Sequence, residues 1–510
     1  MSDRDEAMND RYEAISERYK VPLIIRGEVV EDYELAFGGR HGDTGFRTPD
    51  VAKYADRLTL ANTSQMSDLY ELSFSDIADY LVELGECLDF SRNTYMQEAF
   101  EISRETSGLS ESILRDRYAT VPLMFNRQEI YDSAELSCGI DFLEGWVEQT
   151  ASNRPGIKAW VRAFGARTVH VVAGNLPDVS ALTLLRNAFT RSDCIIKTPS
   201  NDPLTAAAMA RTMIDMAPDH PLTRHVSVAY WKGGDENVEQ DIYDPRKIEK
   251  IVAWGGFNSI KHITRYLQPG IDLITLDPKL SSTIIGREAF ADEATLQSVA
   301  RRLALDIGTW NQEGCVNARV IYVQSGTDDE GLARCERLGL LTFDAIQNLP
   351  SHLSTPHKDF DRDLKDEIDS LRMIDEGYSI YGGLEEEGAV IVSHDGLPVD
   401  FSRSLACRVG NLVPIDDVET AVRSVNAYTQ TIGIYPDTLK ESLRDRLAFQ
   451  GAQRLVSLGG ATTIHGGHQR QDGIEPVRRM CKWITDETGD GEQIERIAIG
   501  ETKQPVTGEG

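Results

Sequence analysis

Cys315 lies in the stretch Asp306-Ile-Gly-Thr-Trp-Asn-Gln-Glu-Gly-Cys315-Val-Asn-Ala-Arg, between a helical run and the strand-like Arg319-Val-Ile-Tyr-Val323. A thiol on a short turn between helix and strand is held in the open, whereas one inside a periodic apolar stretch is packed away. The open kind can ionise and attack an electrophilic carbon. Type and setting alone also suit a small core residue, so the weight of the reading rests on what precedes Cys315. Asn175, in Ala173-Gly-Asn175-Leu-Pro177, follows a strand and could donate to a developing oxyanion or simply cap the next helix. Lys197, in Lys197-Thr-Pro-Ser200-Asn-Asp-Pro203, ends a buried strand and could reach a ribose or phosphate, though lysines at surface turns are common. Gly255 and Gly256, in Trp254-Gly255-Gly256-Phe257, open a helix and suit a backbone approached by phosphate.

These residues sit in an alternating texture. From about residue 160 to 285 the chain reads strand, Gly/Pro turn, helix, repeatedly: Thr168–Val172, Ser180–Phe189, Cys194–Lys197, Leu204–Met216, His225–Ala229 and Lys250–Trp254. Such alternation implies βαβ units and a parallel sheet of an α/β protein, whose ligands bind beyond the carboxyl ends of the strands. Residues 1 to 155 mix polar turns with amphipathic helical stretches, such as one with an N-cap candidate at Ser75, and offer no chemistry.

At 510 residues the chain has room for about three domains. With 82 acidic against 53 basic residues and a net charge of −29, it is a poor partner for nucleic acid or anionic membrane. No run approaches a membrane span and the start lacks a signal peptide, so a cytoplasmic protein is expected. The seven cysteines are scattered without a CxxC pair, which excludes a disulfide framework and any obvious zinc site; no metal is expected.

Together, Asn175, Lys197, the Gly255-Gly256 pair and Cys315 resemble the aldehyde dehydrogenase superfamily in order and spacing. Ala173-Gly-Asn175-Leu-Pro177 is similar to the family's Trp-Asn-Phe-Pro segment, and Lys197 to Ser200 is similar to its Lys-Pro-Ser-Glu stretch. Cys315, about 140 residues after Asn175, falls where its nucleophile lies. The resemblance covers residues 155 to 490. It implies an aldehyde-dehydrogenase-like fold with a helical N-terminal region (1–155), an NADP-binding Rossmann-like domain (156–290), a catalytic domain (291–435) and a C-terminal segment (436–510) returning to the cofactor domain or an oligomer interface, with a polar tail.

The departures narrow the reading. Where the family has Glu-Leu-Gly-Gly-Lys, this chain has Thr275-Leu-Asp-Pro-Lys279, so Thr275 replaces the glutamate that would activate a hydrolytic water. An acyl-enzyme then passes its acyl group to a thiol such as coenzyme A or to hydride. In this, and in the segments Ser402–Leu412 and His468–Met480, the chain most resembles the long-chain acyl-CoA reductase family of the luciferase-associated type. Ser200 stands where NAD-dependent relatives keep a ribose-binding glutamate, and Lys232 precedes Gly233; both imply NADPH. Ser404 falls near the family's glutamate that holds the nicotinamide ribose.

The implied reaction is NADPH-dependent reduction of an acyl-CoA, of fatty acyl type, through an acyl-Cys315 intermediate, with Asn175 as oxyanion donor. Expected partners are the acyl-CoA, an acyl-activating or acyl-transferring enzyme, and further copies of the chain in a dimer or tetramer. His170 and His468 could serve as acids and Glu313 could tune the thiol, though a histidine in Val-His-Val-Val reads as packed and a turn carboxylate as solvated. A hydrolytic aldehyde dehydrogenase and a non-catalytic cofactor-binding relative remain the rival readings.

Overall fold

The computed structural model describes residues 19–38, 45–149, 157–276, 279–374, 377–462, 470–489 and 491–498. Two seven-stranded sheets organise them. The first runs Asp272–Leu276, Lys250–Trp254, Arg167–Val171, Asp193–Lys197, Val226–Ala229, Leu23–Ile25, Glu28–Val30. Its first five strands are parallel. Their interiors are buried on both faces, with apolar runs such as Cys194-Ile195-Ile196 and buried polar residues at Thr168, His170 and Ser227. The expected strands and helices of this region are found to within two residues, for example Asp178–Phe189 and Thr205–Met216.

Strand order reverses between Arg167–Val171 and Lys250–Trp254, so a crevice opens beyond their carboxyl ends. The turns carrying Asn175 and Gly255-Gly256 leave the sheet there. The turn after Arg167–Val171 is braced by its neighbour: Asn201 Nδ2 donates to the Gly174 carbonyl at 2.9 Å. Residue 174 must be glycine, because a Cβ would lie 2.3 Å from Asn201 Oδ1.

The second sheet runs Tyr378–Gly382, Ala389–Ser393, Val409–Pro414, Ala318–Val323, Leu280–Ile285, Thr429–Tyr435, Arg454–Ser457, and only its first pair is antiparallel. Three segments depart from the sequence expectation. Leu280–Ile285 belongs here and not to the cofactor lobe, so the second lobe starts before 291. The helix Asp437–Gln450 and strand Arg454–Ser457 also stay here; the return to the first lobe comes further on, with Val477 and Cys481 in its core and Lys482–Gly489 pairing with Ile157–Phe164 in a small three-stranded sheet with Val147–Gln149.

The N-terminal region is not purely helical. Leu23–Ile25 extends the cofactor sheet antiparallel to Val226–Ala229, and Leu35–Gly38 pairs with Gly45–Thr48. These edge strands are three or four residues long, too short for a periodic signal. The helix Phe74–Cys87 is capped by Ser73, not Ser75, since Ser73 and Asp76 form a reciprocal capping box. The helices that follow support the cofactor lobe: Thr106 Oγ1 donates to the Asn201 carbonyl at 2.9 Å, and Tyr118 shares a 2.5 Å hydrogen bond with Thr205. No helix among the described residues is long and apolar enough to cross a membrane.

Helix Glu293–Gly308 leads into the Cys315 turn, and its fully buried Asp306 ties it to the loop after Arg454–Ser457. The carboxylate accepts N–H groups from Gly459 at 2.9 Å and Ala461 at 3.0 Å. Burial pushes its acid up to about 6 from an ordinary 3.8. Ionising it in the folded state therefore costs stability. Relative to Asp306→Asn, the wild-type protein should lose on the order of 2–3 kcal/mol as pH rises from about 4 to about 6, with no further change above. Melting temperatures of both proteins across pH 4–8 check this, and parallel curves would contradict it.

Candidate active site

Cys315 stands at the amino-terminal edge of the second sheet, three residues before Ala318–Val323. The loop before it is built against backbone preference: Trp310, Asn311 and Gln312 have φ of 54°, 53° and 67°. A left-handed conformation costs a non-glycine residue roughly 1–2 kcal/mol. Each is locked by buried polar contacts. Trp310 N–H donates to the Leu353 carbonyl at 2.6 Å, and the Asn311 amide bonds Thr355 in both directions. The Gln312 amide donates to the Ala318 and Val409 carbonyls and accepts from the Val409 N–H, all within 2.9 Å. Asn317 closes the turn: its side chain accepts from Gly314 N–H at 3.0 Å and donates to the Asp306 and Thr309 carbonyls at 3.1 Å.

Asn175 reaches this loop from the other lobe, its Nδ2 donating to the Glu313 carbonyl at 3.3 Å. It is not a helix cap; the N-cap of Asp178–Phe189 is Pro177, without a side-chain hydrogen bond. A primary amide has two N–H groups, and this bond uses one of them. The Glu313 side chain does not simply face solvent: it meets His357 Nε2 at 3.2 Å.

Two further groups at the thiol were invisible in the sequence. Gln430 Nε2 donates to Cys315 Sγ at 3.2 Å and to Asp472 Oδ1 at 2.5 Å. A carboxylate only accepts, which fixes the amide orientation. Asp472 and Gly473 both have positive φ, between Gln471 and Ile474 whose backbones exchange 3.0 Å hydrogen bonds. This is a two-residue type I′ turn, for which Asp-Gly is a favoured pair. The dipeptide was legible as a turn, but nothing local said that it faces Gln430.

Burial and the Asp472 charge raise the Cys315 thiol above its ordinary range, while the Gln430 N–H and the Arg319 guanidinium oppose them. Arg319 is fixed beneath the turn by donating to the Leu405 and Asn317 carbonyls. His170 is fully buried in its strand and burial lowers it to about 3, so it is neutral and packed, not an acid. His468 lies outside the described residues. Ser404 is exposed in a short turn, and Thr275 is half-buried beside Ala253 at the end of Asp272–Leu276.

The expected cofactor residues line the carboxyl edge of the first sheet. The Lys197 ammonium lies 5.7 Å and 6.0 Å from the ring centres of Tyr230 and Trp231, and it donates to the Thr198 carbonyl at 3.4 Å. Burial lowers it to about 8. An anionic or hydroxylated ligand suits such a cation. Lys232 and Gly233 are exposed, Ser200 half-buried. Added Cβ atoms at Gly233 and Gly256 would meet no protein atom within 4 Å, so both turns leave room for a ligand at the backbone, whereas Gly255 packs on Ser259. The buried Glu239 joins the two turns, accepting from Gly234 N–H at 3.2 Å and meeting His262 at 2.5 Å and Tyr266 at 2.9 Å. These residues fit a nicotinamide dinucleotide.

Residues 71–483 match the family described as acyl-CoA reductase (LuxC). The chain belongs to that family. It is 28% identical to the long-chain acyl-protein thioester reductase of Photorhabdus laumondii over 484 residues, covering 92% of this chain and 93% of that one. The corresponding protein of Vibrio harveyi is 25% identical with the same coverage. The fold is that of aldehyde dehydrogenases: an NADP-dependent glyceraldehyde-3-phosphate dehydrogenase from Bacillus halodurans superposes with a TM-score of 0.71 at 12% identity, covering 92% of this chain and 100% of that one. A benzaldehyde dehydrogenase from Corynebacterium glutamicum gives 0.68 at 14% identity, covering 92% and 98%.

Gln312 and Asn175 should separate structure from chemistry in this LuxC-family site. Gln312→Ala removes three hydrogen bonds to backbone groups, of which the Val409 N–H keeps the Ala406 carbonyl at 3.1 Å, and should cost ~2 kcal/mol or more, lowering the melting temperature by several degrees. Asn175→Ala should barely change melting but lower kcat by roughly 10²–10³, the usual cost of one oxyanion donor. Calorimetry beside steady-state turnover tests the pair; an Asn175→Ala protein that melts early yet turns over normally would assign Asn175 to structure.

Proposed function

We propose that the chain reduces a fatty acyl thioester, acyl-CoA in the first instance, to the free aldehyde, with NADPH as reductant and Cys315 as covalent carrier. The observation that carries this reading is the reach of the Asn175 amide from the first lobe to the Glu313 carbonyl, two residues before Cys315. The Cys315 thiolate attacks the thioester carbonyl while the free Asn175 N–H holds the oxygen as it gains charge. The carbon–sulfur bond of the incoming thioester breaks, its thiol leaves, and the acyl group remains on Cys315. Lys197, Ser200, Lys232, Gly233, Gly255 and Gly256 would hold NADPH, which would supply the hydride. The Asn175 N–H would hold the acyl oxygen through this step, and Cys315 departs as thiolate when the aldehyde forms.

Thr275 supports reduction over hydrolysis, since a hydroxyl lacks the basicity to take a proton from water near neutral pH. Ser200 supports NADPH, because it puts no carboxylate near a 2′-phosphate. The names of the Photorhabdus and Vibrio relatives support a long acyl chain, and they add a protein-borne thioester, delivered by an acyl-transferring enzyme, as a second form of donor.

Incubation with long-chain acyl-CoA in the absence of NADPH should add one acyl mass, mapped by peptide mass spectrometry to Cys315. NADPH should then release aldehyde faster than NADH does. Cys315→Ala should lose both steps while still binding NADPH. An acyl group on another cysteine, or free acid made from aldehyde without any thiol acceptor, would reject the reading.

A further inference from the structure

The proposed acyl transfer needs somewhere for the Cys315 proton to go, and Thr275 cannot take it. The thiol and the Asp472 carboxylate share one nitrogen, Gln430 Nε2, so they are no more than about 6 Å apart, a gap that one water spans. The Asp472-Gly473 turn holds the carboxylate there in a left-handed conformation that a side chain adopts at a cost. Behind it stands Arg186, buried in helix Asp178–Phe189, whose Nη2 donates to Gln471 Oε1 at 3.1 Å and whose guanidinium lies 5.6 Å from the Trp254 ring centre. Arg186 Nε and Nη1 have no hydrogen-bond partner among the described residues, an expense for a buried cation that its attraction to Asp472 partly offsets.

We infer that Asp472 is the proton acceptor of acyl transfer, with Gln430 holding thiol and carboxylate in register and Arg186 keeping the carboxylate ionised. This rests on the function proposed above and assigns the group that takes the thiol proton. The Cys315 S–H proton passes to Asp472 as sulfur bonds to the acyl carbon. When the carbon–sulfur bond of the incoming thioester breaks, Asp472 returns the proton to the leaving thiolate, so the half-reaction is neutral in protons and electrons. The charges facing this pair are Arg186 from its helix, Arg319 from behind the Cys315 turn and Arg454 from the neighbouring strand.

A base and a structural prop predict different behaviour in the full-length Asp472→Asn protein. If Asp472 is the base, acylation of Cys315 by long-chain acyl-CoA at pH 7 should fall by roughly 10² or more and recover as pH rises, because thiolate then forms without help. Alkylation of Cys315 by iodoacetamide, mapped by mass to exclude the exposed Cys87, should be as fast as in the wild type or faster, since a repelling charge has gone. Asp472→Glu should restore part of the acylation at pH 7. Unchanged acylation across pH, or a parallel loss of acylation and alkylation without rescue by Glu, would overturn the assignment. A wild-type protein that alkylates at Cys315 but is never acylated there would overturn the proposed function and this role with it.

Discussion

Three consecutive left-handed residues, Trp310, Asn311 and Gln312, are the constraint on which the site depends. Left alone, the chain would relax to right-handed or extended backbone and carry Cys315 elsewhere. Buried amides prevent this by giving the loop partners only in the unfavourable conformation. Trp310 adds a packing term: it is buried in the core that the N-terminal helices form with the first sheet, with Arg117 5.4 Å from its ring centre. Cys315 is thereby fixed to both lobes at once.

The two sheets contribute opposite edges. Asn175, Lys197 and the glycine turns follow strand carboxyl ends, whereas Cys315, Ser281 and Gln430 sit at strand starts. Ser281 joins two of those starts, its hydroxyl donating to the Cys315 carbonyl at 2.7 Å and accepting from Thr431 N–H at 3.2 Å. Although the chain carries a net charge of −29, the buried charges here include Lys197, Arg186, Arg319 and Arg454, a local cationic setting inside an acidic protein. Low dielectric strengthens their effect on thiolate, carboxylate and dinucleotide alike.

The sequence made the parallel core legible because its strands are apolar on both faces and punctuated by Gly and Pro. The short edge strands of the N-terminal region were hidden, since three residues carry no period. That Cys315 lies on a turn between a helix and a strand, and Asn175 just past a strand end, could be read from local type. Gln430 and Asp472 could not: their meeting with the thiol depends on Thr429–Tyr435 lying beside Leu280–Ile285 in the sheet and on a turn folding back from the far end of the chain. Glu239 was equally silent, a carboxylate in an exposed-looking helix that proves almost fully buried.

The pairing of Lys482–Gly489 with Ile157–Phe164 makes the first lobe discontinuous, while the second sheet is drawn wholly from residues 280 to 457. Val477 and Cys481 also enter the core of the first lobe, as does Trp310. During synthesis the first lobe emerges first but lacks these pieces until the whole of the second sheet has been made, and contacts of such separation close slowly. The later, contiguous lobe can complete itself sooner. On the ribosome the order of completion is therefore the reverse of the order of emergence, and the half-built sheet needs protection from its own unpaired edge and uncovered core in the interval.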